Sequence, residues 1–471
     1  AAGEHTAAWD GRDEYGRPAA PGKYEYRVVA NRSLYRNVGI IGNSARPAGE
    51  LHHIQSHAAQ VVTDTAGNIY TANGWEEAGH DFKVMGPDGQ TRFHARYQIR
   101  NGNPNGAPYS IAVDDAYIYC GMGGWASEQW KSAQQIQRFR IADGTHETFT
   151  GLTDHAGHIQ LYEWPERQVP PDTPEADAAL MRAPIRALAI VGETIFAADA
   201  LAGSVRKYHK VTGAAQGEFA VRLPMALAAD REGRLWVGHE HTRISVFDTD
   251  GARLAEAAGD IGRIASLCFG PDGRLYVADA KACQIRIYEV SGTAVKPAGV
   301  FGQPAKPGDF APDRFYQLHG AAVDADGHLV TIAGLPTGGA RIARFSPDGK
   351  CLWEHHALLF CDLGKYAPDN PEEFITHRLH RIALTDPDAG LCEYRGTLLD
   401  GDPRYIEWQH GVLRFADFAG RRFIGQCYGD GIQFYRRTDQ GTYRLCAMLG
   451  GRNPWPDGTY DDKQPQEKRR P

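Results

Sequence analysis

Basic residues are in the minority. The chain has 471 residues, with 51 Lys and Arg against 58 Asp and Glu and a formal net charge of −7. That balance excludes a general nucleic-acid binder, which would carry a basic patch or stripe. Long hydrophobic runs are missing as well; none approaches the ~20 residues that span a bilayer. The eight cysteines form no CxxC pair and no CxxCH haem attachment. They read as free thiols, and Cys351 and Cys361 are the pair to test for a disulfide. No GxGxxG follows a strand, and there is no Walker loop, no GxSxG elbow and no helical HxxxH zinc motif. The lone cluster Gly121–Gly124 reads as a turn. What the chain has in quantity is Gly (54) and Pro (27), which suits an all-β protein with many tight turns.

It also repeats itself. Leu267–Asp279 is LCFGPDGRLYVAD, Leu227–Gly238 is LAADREGRLWVG, Ala322–Ala333 is AVDADGHLVTIA, and Val61–Asn73 is VVTDTAGNIYTAN. Each copy is an apolar strand, an Asp/Gly turn and a second apolar strand, followed by a third such as Gln284–Val290 or Arg243–Asp248. Gly233 and Gly273 are 40 residues apart (273 − 233), the length of one four-stranded blade. The repeats therefore predict an all-β fold, a β-propeller. Seven blades are counted, near 51–97, 98–147, 181–216, 217–253, 254–292, 300–353 and 354–450. The last stretch could supply one blade or two, so six and eight stay open. Residues 148–180 read as an inserted loop with one short helix. Asp81, Asp88, Asp272 and Asp348 read as turn acids, not catalytic carboxylates.

Two resemblances follow. The strands, Asp/Gly turns and Gly-rich loops over most of 37–450, for example VFGQPAKPGDF leading to HGAAVDADGHLVTIAG, resemble NHL repeats. Trp9–Val29 (WDGRDEYGRPAAPGKYEYRVV) resembles the last part of the immunoglobulin-like module of the flagellar hook-capping protein and of many secreted bacterial proteins. Three segments are expected: a partial immunoglobulin-like piece over 1–30, a propeller over 31–450, and a polar tail over 451–471. The second resemblance implies an exported bacterial protein, extracellular or periplasmic. Both ends read as cut from a longer polypeptide or assembly.

In a propeller the loop entering each inner strand opens on one face, where ligands usually bind. The residues expected there are His57 (with His52 and His53), Tyr109, Arg186, Met225 after Arg222, Arg263, His319, and His380 with His377. Imidazole and guanidinium groups around one mouth suit an anionic substrate. Arg can hold a carboxylate in a two-pronged grip, and His or Tyr can move a proton. His57, His319, His380 and Tyr109 are the candidate catalytic residues; Arg186, Arg222 and Arg263 are the candidate substrate ligands. Trp75 and Trp125, with Trp130, Glu76, Glu77 and Glu128, lie in long loops where an aromatic face could stack on a sugar ring. Packing between blades is the alternative for each aromatic, and loop shaping the alternative for each inner-strand His. His239/His241, His355/His356 and His155/His158 read as solvated polar residues rather than metal pairs.

The NHL resemblance implies a choice among lyases, hydrolases, carbohydrate-active propellers and plain scaffolds. The leading expectation is an exported enzyme that binds and cleaves an anionic carbohydrate polymer as a lyase or hydrolase. The alternatives are a non-catalytic module of a cell-surface protein, and a metal-dependent enzyme with a divalent ion on three channel histidines, His57, His319 and His380.

Overall fold

The computed structural model describes residues 6, 8–12, 18–25, 59–73, 82–94, 107–123, 126–127, 130–131, 134–153, 157–162, 183–257, 261–305, 311–334, 339–358, 365–375, 378–382, 392–397, 413–428, 431–437 and 443–450. The chain divides into two compact units, Ala1–Val38 and Gly39–Pro471. In the first, the Trp9 ring packs edge-on to Tyr24 at 4.6 Å and its Nε1 donates to the Arg12 carbonyl at 2.7 Å. A single antiparallel bridge joins Arg12 to Pro18.

The second unit is a β-propeller. Six antiparallel sheets follow one another, with inner strands Gln60–Thr63, Ala107–Val113, Ile185–Val191, Pro224–Ala229, Ile264–Phe269 and Gln317–Val323. Each inner strand packs against the next, and the sixth packs against the first, so the ring is closed. A cavity of about 170 Å³ runs down its middle, lined from all six inner strands. The count made above was seven, with six and eight left open; among the described residues the inner strands that close on one another number six. Residues 365–397 and 413–450 form two further four-stranded sheets, which supply no inner strand to this ring. The expected insertion at 148–180 is partly blade: Ile159–Tyr162 pairs with Gln134–Arg140 and, with His146–Glu147, makes the outer edge of the second sheet. In that segment the described residues hold a strand, preceded at Gly157 by a residue in 3-10 conformation; residues 154–156 and 163–180 lie outside the described residues.

The repeated motif explains itself physically. Second strands such as Leu235–His239 and Leu329–Gly334 are buried throughout, because sheets cover both their faces. In the turn before them, Asp64 Oδ1 accepts the N–H groups of Ala66 and Asn68, and Asp230 Oδ1 those of Glu232 and Arg234. The aromatic residue in the following strand then reaches back. Tyr70 OH donates to Asp64 and Trp236 Nε1 to Asp230, both at 2.8 Å. Of the acids expected to hold turns, Asp88 accepts from the Gln90 N–H, Asp272 from the Arg274 N–H and Asp348 from the Ser346 hydroxyl, while Asp81 lies outside the described residues.

Every blade is built from one continuous stretch of chain, so no strand is shared between the first and sixth. Side chains close the ring instead. Val61, Ile69 and Met85 pack on Ala322, Val330, Ile332, Ala340 and Ile342. Arg344 Nη1 and Trp353 Nε1 both donate to the Pro87 carbonyl, at 3.1 and 2.9 Å, and His355 Nε2 lies 2.8 Å from the Gly89 carbonyl. Gly89 has φ +78°, and a Cβ there would stand 2.8 Å from the Trp353 ring, so only glycine permits the approach. Trp353→Ala should lower the unfolding free energy by about 3 kcal/mol, read by chemical denaturation. A change under ~0.5 kcal/mol would mean that this seam does not hold the ring.

Candidate functional site

The candidate site begins with a recurrent irregularity. Five inner strands shift register near their start, after Pro108, Ile185, Pro224, Ile264 and Leu318. The extra residue at each bulge is Tyr109, Arg186, Met225, Ala265 or His319. Carrying the first blade's register back one residue from Gln60 gives Ala59. Bulges of this kind re-aim a side chain and are enriched beside active sites. Ala265 lines the central cavity, so this layer adjoins one end of the bore.

Around the ring the layer reads His319, Ala59, Tyr109, Arg186, Met225, Ala265. Tyr109 and Arg186 are neighbours. His319 stands on the blade opposite Arg186, with an alanine on either side. His319 is half-buried, and Gly334 leaves room for it: a Cβ there would lie 3.1 Å from His319 Nε2.

Arg186 is the unusual member. Its Nε is sealed from solvent and makes no hydrogen bond. Among the described residues no carboxylate lies within ion-pair reach of it. Other enclosed arginines have their acids: Arg206 has Asp199 and Arg286 has Asp279, each at 2.9 Å, and Arg344 has Asp324 at 2.6 Å. Burial draws the Arg186 guanidinium below its ordinary pKa, and nearby Tyr109 only partly opposes this. The Arg186 carbonyl accepts from Gln60 Nε2, while Gln60 Oε1 accepts from the Ile111 N–H at 3.2 Å. One amide thus ties three blades together at the mouth.

The acids nearest this end are already committed. Asp279 accepts from the N–H groups of Gly262 (2.8 Å), Arg263 (3.0 Å), Lys281 and Ala282 and from Arg286. Burial pushes its carboxyl up, but those donors outweigh it and hold the carboxyl below the usual aspartate range. Asp199 accepts from Leu201, Ala202 and the Tyr162 hydroxyl. Sequence reasoning missed Gln60 and these two loop-holding acids. A faint signal existed in Asp closing both TIFAAD and LYVAD.

The expected set divides. Tyr109, Arg186 and His319 share the mouth layer. Arg222 is a rim residue, largely exposed and paired with Glu240 at 3.2 Å, and Arg263 is exposed two positions before the bulge. His380 pairs with Phe374 and Tyr394 in the sheet over 365–397, outside the ring of inner strands. That stretch builds a sheet of its own, and His57 lies outside the described residues, so of the three histidines His319 alone is seen in the mouth layer. His57, His377, Trp75 and Trp125 lie outside the described residues; the first blade's mouth position is Ala59, two residues after His57. Of the three weighed His pairs, which were expected to be solvated, His239 is buried on Ser245 at 2.9 Å while His241 is exposed; His355 lies 2.8 Å from the Gly89 carbonyl and His356 3.5 Å from Glu354; His158 is buried 3.2 Å from His146, and His155 lies outside the described residues. Among the described residues, one group could gather three ligand atoms for a metal ion: Asp324, Asp326 and His328. It sits in a hairpin turn, with Asp324 already bound to Arg344. Cys351 is a free thiol, and Cys361 lies outside the described residues.

No protein-family model matches the chain, and no curated protein matches it. Among solved structures it is similar to the WD40 β-propeller domain of Doa1, at 10% identity over 63% of this chain and 90% of that one, TM-score 0.40. It is also similar to virginiamycin B lyase from Staphylococcus aureus, at 13% identity over 73% and 94%, TM-score 0.35. A streptogramin B lyase gives 16% identity over 70% and 92%, TM-score 0.36. Likeness at this level carries no argument about activity.

An enclosed, unneutralised guanidinium costs stability unless a ligand supplies its anion. Arg186→Met should therefore raise the unfolding free energy of the ligand-free protein by about 1–3 kcal/mol, measured by thermal or chemical denaturation. A clear loss of stability would mark Arg186 as structural.

Proposed function

We propose that this protein is an exported propeller enzyme that binds and cleaves a carbohydrate polymer containing uronate, as a lyase. The observation that supports it is the mouth layer: Arg186, with no partner acid among the described residues, stands beside Tyr109 and across the bore from His319.

Those positions suit β-elimination. Arg186 takes the uronate carboxylate and stabilises the charge that grows on it when the adjacent carbon loses a proton. Tyr109, as a phenolate stabilised by the neighbouring Arg186 guanidinium, takes that proton and becomes the neutral phenol. The bond from the sugar to its leaving oxygen then breaks, and His319 on the far blade is placed to protonate that oxygen. Elimination is proposed because the layer offers a guanidinium, a phenol and an imidazole; among the described residues Asp199 and Asp279 hold loop N–H groups and arginines and are given no part in it. Export rests on the segment Trp9–Val29 and its likeness to modules of secreted bacterial proteins.

Tyr109→Phe and His319→Ala should each cut turnover of uronate polymers by about 100-fold or more, followed by the ultraviolet absorbance of the unsaturated product. Activity that survives both changes would defeat the assignment. Binding without any turnover would favour the non-catalytic reading.

A further inference from the structure

The mouth layer is held from inside the bore. We infer that Gln60 is a positioning residue: its amide fixes the strand starts that carry Arg186 and Tyr109, and so sets where the guanidinium meets an anionic ligand. This rests on the reading above and adds a residue to it.

Three observations carry it. The first is reach. From the first blade, Gln60 Oε1 accepts from the Ile111 N–H on the second at 3.2 Å, and its Nε2 donates to the Arg186 carbonyl on the third. An amide has one accepting and one donating end, so these two backbone groups allow a single orientation. The second is the target. Arg186 is itself the extra residue of its bulge, and Ile111 follows Tyr109, the extra residue of the second blade's bulge, by two positions. A bulged residue is left out of the ladder, so a bond from outside the sheet is what fixes it. The third is contrast. Among the described residues lining the bore, Thr63 and Ser266 also bond to backbone, but to Val323 and Ala321, neither of them a bulge residue. Position matters here because a misplacement of about 1 Å at a reacting group can cost on the order of 100-fold in rate.

The test titrates monomeric glucuronate into the full chain by calorimetry, for the wild type, Gln60→Leu, Gln60→Glu and Thr63→Val, with thermal unfolding beside each. Gln60→Leu removes both bonds and should weaken binding on the order of tenfold. Thr63→Val removes a bore hydrogen bond to a strand that bears no part of Arg186 or Tyr109. It should lower the unfolding midpoint and leave affinity at the wild-type value. Gln60→Glu keeps the shape of the side chain. Ionised, at about pH 8, it has no donor for the Arg186 carbonyl and should bind weakly. Protonated, which enclosure favours by about pH 5, its hydroxyl donates and its carbonyl accepts, so affinity should recover toward that of the wild type. Wild-type affinity in Gln60→Leu, and in Gln60→Glu at about pH 8, would overturn the inference and leave the lyase reading standing. An equal loss in Thr63→Val would overturn it too, by making the effect one of general packing. If Gln60→Leu does not fold, the pH course of Gln60→Glu decides: recovery supports the inference and a flat course overturns it. No binding to the wild type would overturn the lyase reading and this inference together.

Discussion

Each inner strand of the ring has one edge with no strand beside it. Its N–H and C=O groups face the bore, and buried backbone groups left unpaired are costly. Side chains from the next blade meet that demand. Gln60 reaches the Ile111 N–H and the Arg186 carbonyl, Ser266 Oγ accepts from the Ala321 N–H at 2.9 Å, and Thr63 Oγ1 donates to the Val323 carbonyl at 3.0 Å. Among the described residues lining the bore, Gln60, Thr63 and Ser266 are the ones with polar oxygen or nitrogen side chains. The polar chemistry inside the channel is thus architecture, and it holds the blades at the spacing on which the mouth depends. The seam between the sixth and first blades extends the same logic outward, through Arg344, Trp353 and His355 onto the 87–89 turn.

With the bore so occupied, reactive groups have one layer left to them, the bulge where each inner strand begins. The extra residue there lies outside the ladder and is free to vary. Four of the six positions carry Ala, Met or Tyr, and two carry cations or potential cations on opposite blades. Asp199 and Asp279 anchor the adjoining loops rather than enter the chemistry. Arg186 breaks the pattern followed by Arg206, Arg286 and Arg344, each enclosed with an acid of its own chain. That exception is the main reason to read this end of the propeller as a binding site.

Much of the fold was legible in the sequence because its causes are local. The Asp that binds its own turn, the Gly at positive φ and the aromatic that reaches back all fall within about ten residues, so each copy announces itself. Ring closure and blade number were less legible. They depend on contacts such as Trp353 to Pro87, which join the two ends of the ring. The site was half legible. Tyr109, Arg186 and His319 could be picked out because they precede apolar runs. The register that puts Ala59 at the first blade's mouth position, and the membership of His380 in a separate sheet, depend on pairing between strands. Nothing in the sequence near Arg186 announced that no partner acid would meet it among the described residues, since such pairing depends on contacts between strands and blades.

The most direct test of this account is calorimetric titration of monomeric glucuronate into the wild-type protein and Arg186→Met at low salt. The account predicts one binding site in the wild type, weakened on the order of tenfold or more by the substitution, as expected when one side of an enclosed charge pair is removed. Equal affinity in the two proteins, or no binding to the wild type, would contradict it.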